Sequence, residues 1–228
     1  MYRPVLTRLA LRMGLLTMLA LIAACGGRPE ENEPRPLPEE QQELRPGVYG
    51  SEEFKPSLSF RVGEGWSNDP PEASDALLLT REETVGLGFV NAQWVFKPTK
   101  TGTPNLVEPP EDMVGWFQQH PYLQTSNPEP VTVGGVKGVE FDVVVGDLPK
   151  GYNPTCSSIV GQPNCVDLGR LSTGGQIFVA EGEKVRVTVL EEVKGETVII
   201  GFFSPTSEFD EFAPHAQKVV DSVKWGGS

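Results

Sequence analysis

Residues 184–203, KVRVTVLEEVKGETVIIGFF, decide how the chain folds. Val185, Val187 and Val189 alternate with Lys184, Arg186 and Thr188, the period-two pattern of a strand with one buried face. Lys194-Gly195 then offers a two-residue turn, and ETVIIGFF follows. That second run is apolar almost throughout, so it should be a central strand or one covered on both faces. Upstream, GQIFVA at 175–180 leads through Glu181-Gly182 into the same unit. The three runs predict an antiparallel meander.

Downstream, Phe209, Phe212, Ala213, Ala216, Val220 and Val223 fall on one helical face. Pro214 would interrupt a continuous helix. The expectation is a loose turn at 208–212 and a helix over 213–223, with Pro214 in its first turn. Upstream, SLSFRV (57–62), DALLLTRE (75–82) and VGLGFVNAQWVF (85–96) read as strands, the last with a bulge or break near Asn91. Met113, Trp116 and Phe117 switch to helical spacing between Pro110 and Pro121, which predicts a helix over 110–119. Residues 130–146 form two strands around Gly134-Gly135, with Val139, Phe141, Val143 and Val145 on one face. The fold class is α+β: an antiparallel sheet of about six to eight strands with two packed helices.

The first 24 residues are set aside as a targeting segment. Arg3, Arg8 and Arg12 precede an uncharged run of 12 residues at 13–24, too short for a membrane span of ~20. It ends in Ile22-Ala23-Ala24-Cys25, which resembles the bacterial lipobox. The resemblance implies lipid on the Cys25 sulfur, cleavage before Cys25, and a protein held on the bacterial cell membrane or envelope, outside the cytoplasm. Residues 25–47 are rich in proline, glutamate and glutamine and poor in large apolar side chains, so they read as a disordered tether. Residues 48–228 remain as one domain.

Three of the 19 basic residues lie in the first 24, which hold no acidic residue; 16 then face 31 acidic ones, a net charge of −15. Such a chain is unsuited to nucleic acid or to electrostatic docking on anionic lipid. Beyond Cys25 the sequence holds Cys156 and Cys165. Outside the cytoplasm a disulfide closing a small loop is their natural reading. Free thiols, or a metal or redox role, are the alternatives; a zinc site wants four ligands and a redox pair is more typically Cys-x-x-Cys. The loop between the strands, 146–168, is long for a compact domain.

No nucleophile elbow, zinc-binding helix, phosphate loop or calcium loop is present, and no metal or cofactor is expected. His120 and His215 each adjoin a proline at a helix edge and read as surface residues. Either could serve as a base only beside a nucleophile or carboxylate. The chain is therefore not expected to be an enzyme.

SLSFRVGEGW (57–66) and FAPHAQKVVDSVKW (212–225) are similar to the early strand with its Gly-Trp turn, and to the closing helix, of the PsbP-like superfamily. The resemblance implies a sheet with helices packed on it, and action by binding other proteins rather than through shared catalytic residues. The leading expectation is a non-enzymatic lipoprotein that binds a protein or other envelope partner. A tethered carrier or sensor of a small apolar ligand, held between sheet and helices, is the second, and a hydrolase without a recognisable motif the third. A cavity of several hundred Å3 between the layers would favour the carrier.

Overall fold

The alternating run at 184–203 becomes the centre of the molecule. The computed structural model describes residues 33–82, 85–160 and 164–226. In chain order the strands β1 (Arg35–Pro36), β2 (Gly47–Ser51), β3 (Leu58–Val62), β4 (Ser67–Ala73), β5 (Ala76–Glu82), β6 (Val85–Val90), β7 (Trp94–Lys97) and β8 (Asn105–Val107) precede helix α1 (Met113–Gln118). Then come β9 (Leu123–Thr125), β10 (Glu129–Val133), β11 (Val136–Val145), the four-residue helix α2 (Ser157–Val160) and β12 (Cys165–Arg170). Strands β13 (Gln176–Ala180), β14 (Glu183–Val193) and β15 (Glu196–Pro205), helix α3 (Phe209–Asp221) and β16 (Lys224–Trp225) complete the chain.

The α+β character holds, but the strands form three sheets where one was expected. An eight-stranded sheet runs β10-β11-β14-β15-β6-β5-β4, with β9 also paired to β11. Two four-stranded sheets flank it, β1-β2-β3-β16 and β13-β12-β7-β8. The expected meander is split accordingly. β14 and β15 pair, but β13 pairs with β12. The turn between β13 and β14 is a corner between sheets. The Glu183 carboxylate accepts the Ala180 N–H at 2.9 Å, Gly182 has φ 86°, and its carbonyl accepts the Thr206 N–H at 2.8 Å. The break foreseen near Asn91 has the same effect, sending β6 and β7 into different sheets.

Strand alternation then sorts the core into two clusters. On one face of the main sheet, Leu77, Leu79, Leu87, Phe89, Ile200 and Phe202 pack with α3 and with Leu58, Phe60 and Val62 of β3. On the other, Phe141, Val143, Val185, Val187 and Val189 meet α1 and the β12–β13 side.

Both helices are shifted from their expected bounds. α1 begins later than Pro110, because the Asp112 side chain accepts the Gly115 N–H at 2.6 Å and caps it there. α3 is continuous from Phe209 with Pro214 inside it. Burial of Phe209 and Phe212 on the same face as Ala216 and Val220 holds the first turn in register, at the cost of one backbone hydrogen bond.

Residues 33–47, expected as part of a disordered tether, lie against the domain. Leu44 is only 2% exposed, and its N–H donates to the Trp66 carbonyl at 2.6 Å. The buried Asn68 amide donates to the carbonyls of Pro38 and Glu40 and accepts the Gln42 N–H. Arg35 donates to the Arg45 and Pro46 carbonyls and lies over the Tyr49 ring. Leu44, with Leu37 packed beside the core, these side-chain bonds and the pairing of β1 with β2 seat a segment whose composition reads as unstructured.

Candidate functional site

The second face of the main sheet is not sealed. Its cause is a pair of glycines: Gly88 on β6 lies directly opposite Gly201 on β15. Both point to the same face as Val187, which pairs with Gly201 from the other side. A Cβ on Gly201 would meet nothing nearer than Val185 Cγ1 at 3.7 Å, and one on Gly88 nothing nearer than Leu78 Cδ1 at 3.5 Å. Gly86 differs, because a Cβ there would come within 2.7 Å of the Phe203 ring. One glycine is filled by an aromatic neighbour; the other two leave a floor without side chains. Glycine inside a strand often marks such a close approach.

Above that floor lies a cavity of about 330 Å3. Val90, Val185, Ile199 and Phe203 extend the floor, Met113, Trp116 and Phe117 of α1 form one wall, and Leu168, Ile177 and Val179 of β12 and β13 form another. Ile199, Phe203, Ile177 and Trp116 stay only partly buried, although they belong to the apolar cluster. Besides the Trp116 indole, Gln176 and Glu183 bring the polar side chains of the lining. Gln176 donates its amide to Thr155. Burial holds the Glu183 carboxyl above its usual range, against the lowering effect of the Ala180 N–H. Leu171, beside the cavity, belongs to the β12–β13 hairpin, which is tied to the β4–β5 turn: Ser172 donates through N and Oγ to the buried Asp75 carboxylate. The arrangement can hold an apolar molecule; it brings no nucleophile, base and oxyanion donor together.

The residues singled out in the sequence lie elsewhere. Cys25 is outside the described residues. Cys156 and Cys165 are joined by a disulfide and are fully buried. Asp167 secures the same loop by accepting the N–H groups of Thr155 and Cys156 at 2.7 and 2.9 Å. His120 is not the surface residue expected from its proline neighbour; it is 5% exposed, between the rings of Trp116 and Tyr122. Its Nδ1 accepts the Tyr122 N–H at 3.3 Å, and burial pushes its imidazole down to about 4. His215 lies on α3, and desolvation with the nearby Arg81 and Lys218 lowers its pKa. Among the described residues neither histidine is hydrogen-bonded to a serine or carboxylate, and no group of three or more His, Cys, Asp or Glu could hold a metal.

Sequence reasoning raised a cavity between sheet and helices as its second expectation but did not locate it. The available signal was the placing of Gly88 and Gly201 at inward positions of two otherwise apolar strands.

These features define the class: a β-rich α+β domain with an apolar cavity between two sheets. No family model and no curated protein matches the chain. Among solved structures, it is similar to cyanobacterial PsbP (CyanoP) from Synechocystis sp. PCC 6803, with a TM-score of 0.41, 12% identity, and cover of 90% of this chain and 98% of that one. It is also similar to LpqN, described as involved in cell envelope biogenesis of Mycobacterium tuberculosis, with a TM-score of 0.28, 10% identity, and cover of 82% and 91%. Likeness at these values assigns neither family nor function.

Proposed function

We propose that the chain is a lipid-anchored, non-enzymatic protein of the bacterial envelope whose domain carries or senses a small apolar molecule. The observation that carries this reading is the cavity of about 330 Å3 between the main sheet, α1 and the β12–β13 side. Ligand pockets are typically preformed, largely apolar and of at least ~300 Å3. At about 30 Å3 per non-hydrogen atom, close to a water's share of liquid volume, the space suits a molecule of about ten such atoms. Partner binding, the leading reading of the sequence, has less to rest on: Trp94 and Val107 are the exposed large apolar residues among those described, and single exposed hydrophobics are ordinary.

The anchor reading rests on the sequence at 22–25. No helix among the described residues is long and apolar enough to cross a membrane. With lipid on Cys25, the eight residues 25–32 would join the bilayer to the seated segment, a reach of at most about 28 Å. On this reading the domain would stand close to a lipid surface, within reach of apolar cargo.

Calorimetric titration with 1-octanol tests the carrier reading. Saturable one-to-one binding with a negative heat-capacity change is expected. Absence of binding by any apolar molecule of this size would falsify it. Mass spectrometry of membrane-extracted protein tests the anchor. It should show a lipid-bearing Cys25 as the first residue, and an intact, unmodified residue 1 would contradict it.

A further inference from the structure

We infer that the cavity selects amphiphiles with an alkyl body and an uncharged hydroxyl head, and rejects fatty-acid anions of the same length. This rests on the carrier reading and concerns the polar end of the lining. Glu183 is the acidic residue there, at the corner between β13 and β14. One carboxylate oxygen accepts the Ala180 N–H, which fixes the side chain; the other has no protein partner among the described residues. That oxygen is not sealed away, since no buried side-chain N or O among the described residues lacks a partner, and so it is open to a donor from a ligand head. The Gln176 amide gives one of its two N–H donors to Thr155, and among the described residues no hydrogen bond joins it to Glu183.

Charge decides between possible heads. A carboxylate ligand would place like charge beside Glu183 in a low-dielectric wall and lose its water. The formal charge of −12 on the chain opposes its approach as well. An ammonium head would meet an opposite charge, but it would leave water for a lining that supplies no further acceptor side chain beyond Gln176. A hydroxyl donates one hydrogen bond and carries no charge to desolvate.

Titrations of the full mature chain with 1-octanol, octanoate, octylamine and heptyl methyl ether at pH 7.5 test this. Octanol should bind at least tenfold more tightly than octanoate and severalfold more tightly than the ether and the amine. Glu183→Gln keeps an oxygen for the Ala180 N–H and removes the charge, so it should retain octanol binding and narrow the octanol-to-octanoate gap to less than threefold. Octanoate or octylamine binding as well as octanol, an ether equal to octanol, or a gap unchanged in Glu183→Gln would each overturn the assignment. In those cases binding that is lost in Gly201→Val leaves the carrier reading intact. If none of the four ligands binds, the carrier reading fails with it.

Discussion

Gly201 illustrates how one residue creates the site. Valine there would place two methyl groups over the floor, and strand interiors favour β-branched residues over glycine. The nearest side-chain atom to an added Cβ is 3.7 Å away, so the change meets open space. Gly201→Val should therefore abolish octanol binding while leaving the thermal midpoint unchanged or higher. A midpoint lowered by more than ~5 °C would mean that the space is not there. The glycine pair was hard to read because a sequence does not show which residues face each other across strands. The break expected in 85–96 lies near Asn91, and Gly201 sits inside a run that reads as apolar almost throughout. His120 was misread for a related reason: only the fold brings Trp116 and Tyr122 around it. Its folded pKa of about 4 lies below the unfolded 6.5, so the unfolded state takes the proton first as pH falls. Stability from this group is complete above about pH 6.5 and is lost towards pH 4, on the order of 3 kcal/mol in total. Urea unfolding at pH 7 and pH 4.5 should show a smaller acid loss in His120→Phe than in the wild type. Equal losses would contradict a neutral buried imidazole.

At the level of elements, the loop from Cys156 to Cys165 and the segment at 33–47 are two pieces held by few contacts. The disulfide closes a sequence separation of 9, for which chain entropy gives roughly 2.5 kcal/mol. Cys156→Ser with Cys165→Ser should lower unfolding free energy by about that amount, and an unchanged value would show that the loop is held by the Asp167 carboxylate instead. For the segment, Asn68→Ala removes three hydrogen bonds to residues 38–42 and should cost about 1–3 kcal/mol. Limited proteolysis should then cleave within 38–44 before the domain is attacked; resistance equal to the wild type would contradict the role given to Asn68. Local pattern made the strands at 57–62, 75–82 and 85–90 legible, together with the Gly134-Gly135 hairpin, because alternation and turn residues act within a few positions. It could not assign β13 and β14 to different sheets, since that depends on a corner held by Glu183 and Thr206. Nor could it seat 33–47, where Leu44, Leu37 and the hydrogen bonds of Asn68 and Arg35 outweigh a composition typical of disorder.

On the scale of the whole molecule, the central sheet separates two environments. α3 and β3 close one face with a buried aromatic cluster in which Phe202 stacks on Phe209. The other face is roofed by sheet and α1 and keeps its cavity. A domain built only to present a binding surface has no need of that space, which forgoes packing that valine at two positions could supply. Calorimetric titration of 1-octanol into the wild type and into Gly201→Val is thus the most direct test of the account. Saturable sub-millimolar binding to the wild type, lost in a folded Gly201→Val, is the predicted result. Equal heats in both proteins, or none in either, would contradict it.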